Sequence, residues 1–328
     1  MPNIHPKIAI LGPVPYYNIT NWKNESIDRY GTITYPVIAL SKLFGENAHI
    51  VPVTHVRQKD EQTVKTLLRG YSGVELQHIN SDQDQGDVVR MRFVDPKKAL
   101  EKQYAFMNPI TPHDVKNILD FNIFAFIPIA DYEISLETLI FIKQYSKGQV
   151  VFDGHGQTMA MTSLGDRVPK FWIDRDLWLP YIDVLILNRE DAYATWFSHE
   201  YTFEELEQSQ TLGETEQKAL AKHILSKGPK ALYLTLEDEG CIVFTMKNGE
   251  LHSKKVPAVS TELTVTTIGC GDAFVGGVVF GLLHTKNDYE KTAEYANAIA
   301  SQRCNAESYD AFLSIEETEK LVRGNYKL

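Results

Sequence analysis

The sequence predicts an α/β fold built on a mainly parallel central sheet. Three observations lead there. Short apolar runs closed by Gly, Pro or Asp alternate with helical patterns along the chain, the mark of strand–helix–strand units with right-handed crossovers. Residues 123–129 are apolar without a break, as expected of a strand covered on both faces. Asn248-Gly249 lies between two β-rich runs and is a strong hairpin signal. At 328 residues and 43% hydrophobic composition, the chain can build one large domain and a small one.

Taken in order, residues 7–12 read as a first buried strand closed by Gly12-Pro13. A helix follows at 37–44, a strand at 49–53 and a helix at 59–68. Residues 88–94 alternate, with Val89, Met91 and Phe93 on one face and Arg90 and Arg92 on the other; this predicts a half-exposed strand, with residues 103–107 as its partner. Thr111-Pro112 opens a helix by capping. The alternation continues with helix 135–145, strand 150–152, strand 184–187, helix 190–197, helix 214–226, strand 232–236 and the hairpin 241–246/251–256. A β-rich run ending at Val265 leads to an apolar helix at 273–283, and helices at 289–303 and 315–322 close the chain.

Composition narrows the function classes. A net charge of −10 argues against a general nucleic-acid or anionic-membrane surface. The longest apolar run, 121–130, is too short to cross a bilayer, and residues 8–11 before Gly12 read as a strand rather than a signal peptide. Cys241, Cys270 and Cys304 have no metal or redox spacing, so a reducing cytoplasmic location is expected. No Gly-x-Gly-x-x-Gly follows the first strand, which disfavours a dinucleotide-dependent oxidoreductase.

The most informative stretch is Thr266-Thr267-Ile268-Gly269-Cys270-Gly271-Asp272-Ala273-Phe274. Two glycines before an apolar helix let the backbone turn sharply and approach a ligand. The unpaired amides and dipole of the helix start favour an anion there, phosphate above all. An acid in such a place fits a general base beside a transferring phosphate, although Asp is also a common helix cap. Other strand ends carry Asp153-Gly154-His155-Gly156, Asn188-Arg189-Glu190-Asp191 and Thr235-Leu236-Glu237-Asp238-Glu239-Gly240. An amide and a carboxylate one helical turn apart, as in Asn188 and Asp191, suit Mg²⁺. Plain capping is the competing reading. His155 between glycines reads as a turn residue.

The late run resembles the signature of the ribokinase-like carbohydrate kinases (the phosphofructokinase-B family), in which Asp-Thr-x-Gly-Ala-Gly-Asp-x-Phe is usual. Thr267, Gly269, Gly271, Asp272 and Phe274 match; Thr266 replaces the acid and Cys270 the alanine. The resemblance implies a three-layer α/β/α fold with a small β lid, one unit over residues 1–328. Its large domain would comprise 1–14, 37–86 and 109–328, and its lid 15–36 and 87–108. It implies an ATP- and Mg²⁺-dependent phosphotransferase acting on a hydroxymethyl group of a small sugar-like substrate, a nucleoside included. Asp272 would be the base, and the amides of Gly269, Cys270 and Gly271 the anion hole. Asn188 and Asp191 would serve the metal. Asn188, Thr235, Glu237, Gly240, Thr267 and Asn297 would line the nucleotide site, and Asn18, Gly31, Thr32 and Asp272 would meet the substrate. The family's monovalent-cation site is in question where Thr266 replaces its acid. Glu237 stands where the family has glycine near the donor phosphates, and only Gly31 remains of its N-terminal double glycine. These departures motivate the alternative of a non-catalytic nucleotide- or sugar-binding regulatory protein. The lid can be solvated or can pair two copies into a homodimer.

Overall fold

The computed structural model describes residues 5–21, 23–94, 99–196, 211–260, 264–306 and 308–326. Its strands are β1 (Lys7–Leu11), β2 (Tyr16–Thr20), β3 (Ser26–Tyr30), β4 (His49–His55), β5 (Ile79–Asn80), β6 (Val88–Phe93), β7 (Ala99–Ala105), β8 (Ile123–Phe126), β9 (Gln149–Asp153), β10 (Met159–Met161), β11 (Arg167–Pro169), β12 (Val184–Leu187), β13 (Ala231–Thr235), β14 (Cys241–Lys247) and β15 (Glu250–Val256). Its helices are α1 (Thr34–Phe44), α2 (Gln58–Arg69), α3 (Pro112–Val115), α4 (Leu136–Tyr145), α5 (Arg175–Trp178), α6 (Arg189–Thr195), α7 (Glu214–Lys227), α8 (Cys270–His284), α9 (Tyr289–Cys304) and α10 (Ile315–Asn325).

Nine strands form the central sheet in the order β15-β14-β13-β12-β9-β8-β1-β4-β5. All pairings are parallel except β13–β14 and β14–β15. Alternate side chains serve opposite faces. Ile8 and Ile10 join a core with α1, α2, α8, α9 and α10, whereas Ala9 and Leu11 join one with α3, α4, α6 and α7. The three-layer ribokinase-like architecture is thus written strand by strand as apolar residues on both faces.

Several boundaries move. The strand expected at 123–129 stops at Phe126, just before the Ile127–Ile129 segment leaves the sheet. Residues 264–268 form no strand; the Val265 and Thr266 amides instead donate to the Cys304 carbonyl, at 2.8 and 3.2 Å. The lid strand expected at 103–107 runs from 99 to 105 and pairs antiparallel with β6, with a register shift between Val88 and Val89. Helix α6 ends at Thr195, and Phe197 lies outside the described residues. Cys270 and Cys304, whose spacing of 34 residues carries no redox signature, are joined by a disulfide.

A second sheet, β3-β2-β6-β7, lies over the carboxyl ends of the main sheet. Val89 is buried and Arg90 and Arg92 are exposed, as the alternation of residues 88–94 predicts. A buried polar cluster fastens this lid to the body. Asp87 accepts from Gln103 Nε2 (2.8 Å), Met107 N (2.8 Å) and Tyr132 OH (2.9 Å). Glu133, fully buried, accepts from Ile129 N at 2.7 Å. Burial raises both carboxyls, and the charge of Asp87 raises Glu133 further.

The sign of the linkage follows. A carboxyl raised in the fold stabilises it at low pH and loses that contribution as pH rises toward the folded-state value. Glu133→Gln mimics the protonated form at every pH. Thermal melts should show the variant more stable than wild type near neutral pH, by on the order of 1 kcal/mol, with the gap closing in acid. A gap independent of pH would contradict the raised Glu133 carboxyl.

Candidate active site

The carboxyl ends of β9, β12 and β13 and the start of α8 converge beneath the lid, where an open parallel sheet places ligands. Gly269 is the N-cap of α8 and sits in the left-handed region, φ 83°. A Cβ there would also come within 2.5 Å of the Tyr35 ring. Glycine is therefore required twice, for conformation and for space. The turn leaves the amides of Gly269, Gly271 and Asp272 without acceptors among the described residues, whereas Cys270 N–H turns back to Thr267 O at 3.3 Å. Of the expected Gly269–Cys270–Gly271 amides, those of Gly269 and Gly271 are open and that of Cys270 is not, and the Asp272 amide is open beside them.

Asp272 is half-buried in the first turn of α8. Burial pushes its carboxyl up to about 6, against the pull of His155 and Arg303. Asp153, at the end of β9, is raised to about 7 by burial, and the neighbouring Asp191 and Asp272 add to that rise against the pull of His155. His155 follows it. Burial opposes the charge of its ring, but Asp191 prevails and lifts it to about 9. His155 Nδ1 lies 3.2 Å from Asp191 Oδ1. The same oxygen accepts from Thr158 Oγ1 at 2.6 Å. On the lid side, Arg167 opposes the rise of His155, and the charge of Asp272 adds to the rise that burial gives the Tyr17 hydroxyl.

The expected residues separate into three sets. Asp272, Gly269, Gly271 and the Asn188–Asp191 turn meet at the cleft. Asn188 caps α6 by accepting from Asp191 N at 2.7 Å, and the Asp191 carboxylate, 4% exposed, faces His155 and Thr158. Gly31 and Thr32 lie at the lid hinge, with Thr32 Oγ1 3.5 Å from Tyr17 OH and Gly31 against the Tyr17 ring. Asn18 is held by Asp28 at 2.7 Å. At the end of β13, Thr235 Oγ1 is 3.5 Å from Leu187 O, and Thr267 is exposed. Glu237 opens an exposed turn at φ 56°, closed by Gly240. Asn297, 5% exposed, donates to Val256 O and Pro257 O at 3.2 and 3.0 Å, so its amide braces the hairpin exit.

Sequence reasoning passed over Arg167 and Arg303 and treated His155 as a turn. A signal for Arg303 existed: it falls on the buried face of α9 with Ala296 and Ile299, at helical spacing. None existed for the His155–Asp191 contact, which spans 36 residues.

The His155–Asp191 pair has a checkable pH signature. A histidine raised in the fold stabilises fully below its unfolded value and loses that contribution as pH rises through about 9. Asp191→Asn should cost roughly 1–3 kcal/mol in chemical denaturation near pH 6 and less above pH 9. An equal loss at both would remove the ion pair from the account.

Residues 157–314 match the pfkB family carbohydrate kinase model. Among solved structures, ribokinase from Giardia lamblia is 16% identical, with 98% of this chain and 99% of that chain covered at a TM-score of 0.75. A pyrophosphate-dependent kinase in the ribokinase family, complexed with a pyrophosphate analog and myo-inositol, is 18% identical over 93% and 98%, TM-score 0.70. The Burkholderia thailandensis nucleoside kinase in complex with inosine is 14% identical over 98% and 99%, TM-score 0.68. Residues 157–314 are thus similar to the pfkB family carbohydrate kinases, and a ribokinase-like fold spans nearly the whole chain.

Proposed function

We propose that the chain transfers a phosphoryl group from ATP to a hydroxymethyl group of a sugar or sugar-like acceptor. The observation that carries this reading is Asp272 in the first turn of α8, beside the open amides of Gly269 and Gly271. The amides would receive the developing charge of the transferring group. Asp272, ionised above about pH 6, would accept the proton of the attacking hydroxyl. Tyr17 and Thr32 on the lid side would orient the acceptor and help exclude water. A polyhydroxylated acceptor accords with the myo-inositol and inosine bound by two proteins of this fold. The exposed Leu100, Tyr104 and Phe106 of the lid would be covered by a second copy in a lid-paired dimer.

Magnesium fits the cleft in a restricted way. The charges of Asp191 and Asp272 raise the Asp153 carboxyl, so the negative charge gathered at the end of β9 invites a cation. Among the described residues no three acidic, His or Cys side chains form a metal cage, as suits an ion that keeps its water and binds mainly to donor phosphates. Asn188 and Asp153, in place of the His155-bound Asp191, would hold that hydrated ion. It would neutralise phosphate charge when bound.

Glu237 and its neighbours Asp238 and Glu239 favour a second reading, a non-catalytic binding protein, because acids beside the donor phosphates repel them. Glu239 itself is tied to Arg189 and Lys255.

ADP release with Mg-ATP and a panel of sugars, sugar acids and nucleosides separates the two. Turnover with an acceptor is expected, and Asp272→Asn should lower kcat by roughly 10²–10⁴-fold. A loss below tenfold would remove the base role. In wild type, kcat/KM should fall as pH drops through about 6, because the protonated base cannot accept a proton; a flat acid limb would count against Asp272. Ligand binding without turnover for every acceptor would favour the second reading.

A further inference from the structure

Arg303 is the least expected residue in the interior. It lies in the last turn of α9 and is 0% exposed. Its guanidinium lies over the Tyr35 ring, 4.6 Å from the centroid. It donates to Ala306 O and reaches Tyr35 OH at 3.5 Å. Its Nε has no partner among the described residues, and no described carboxylate forms an ion pair with it. A charge taken out of water without an anion is expensive, so some negative group must compensate it.

Two candidates are adjacent. One is the carbonyl end of α9 itself, where a cation is favourable. The other is Asp272, whose ionised form Arg303 favours. The geometry joins them. The Tyr35 ring beneath the guanidinium is the same ring on which Gly269 rests. The Cys304 carbonyl, next in sequence, receives the Val265 and Thr266 amides, and Cys304 is bonded to Cys270. The end of α9, Tyr35 and the cradle segment therefore form one packed unit with a buried positive charge inside it. The other titratable groups acting on Asp272 or answering to it are His155 and Asp153 at the end of β9 and Tyr17 on β2. His155 is the second cation among them, and its ring is paired with Asp191.

We propose that Arg303 is a positioning residue for phosphoryl transfer: its guanidinium, seated on Tyr35 behind Gly269, braces the amide cradle and supplies the fixed charge against which Asp272 works as a carboxylate. The proposal rests on the phosphoryl-transfer reading and deepens it. It assigns to a side chain of this protein a positive charge that bound ions would otherwise have to supply behind the cradle. It also assigns Tyr35 a role as the seat of that charge.

The test compares Arg303→Met and Arg303→Lys with wild type. Carbon-13 NMR of labelled aspartate, with Asp272→Asn identifying the signal, follows the Asp272 titration without any need for turnover. Calorimetry with inorganic phosphate follows the cradle. Arg303→Met should raise the Asp272 midpoint by about one unit or more and weaken phosphate binding by about tenfold, and Arg303→Lys should recover much of both. Should Arg303→Met not fold, Arg303→Gln removes the charge while keeping a donor for Ala306 and makes the same comparison. A folded neutral variant in which the Asp272 titration and phosphate affinity both stay at wild-type values overturns the proposal. A shifted titration in a protein that turns over no acceptor would leave the Arg303–Asp272 coupling in place and remove the phosphoryl-transfer reading instead.

Discussion

The left-handed turn at Gly269 is the constraint on which the rest of the site depends. Only that turn starts α8 abruptly enough to leave neighbouring amides open. It can form because Tyr35 of α1 packs flat beneath it. Tyr35 in turn is held by Arg303 and by Tyr309, whose ring centroid lies 5.6 Å from that of Tyr35. Further along, α8 reaches α9 closely enough that a Cβ on Gly277 would come within 2.5 Å of Ala296 Cα. The small residues of these two helices set the height of the turn relative to the sheet. The parallel sheet then supplies the other half of the cleft from the ends of β9 and β12.

Charge in the cleft is decided by competition between desolvation and partners. Asp191 wins its competition: His155 and Thr158 outweigh burial and hold its carboxyl below the usual range. Asp153 and Asp272 do not, and burial leaves them at about 7 and about 6. Carboxylates so close divide their roles by environment, since those with raised values can exchange protons near neutrality while the paired one stays charged. The cleft thus holds a fixed acid beside a histidine and two acids with raised values.

Much of this was legible in the sequence, for identifiable reasons. The strands of the main sheet follow from apolar runs because both faces are covered, and the hairpin at Asn248-Gly249 forms where both residues adopt positive φ, 53° and 83°. The sharp turn that opens α8 was visible because a Gly-x-Gly pair is a local signal carried by adjacent residues. What escaped was long-range. His155 reaches Asp191 from 36 residues away in the chain. The segment before Gly269 looked β-rich, yet its amides turn to Cys304, a partner 38 and 39 residues away. Arg303 was hidden among alanines, where composition suggests packing alone. The bonds of Asn297 to Val256 and Pro257 likewise depend on a contact between distant elements.

The most direct test of the account is a crystal structure with a non-hydrolysable ATP analogue, magnesium and an acceptor identified by turnover. The account predicts the terminal phosphate against the Gly269 and Gly271 amides, with Asp272 within hydrogen-bond reach of the acceptor hydroxyl. Phosphate seated elsewhere, or an acceptor hydroxyl held away from Asp272, would contradict it.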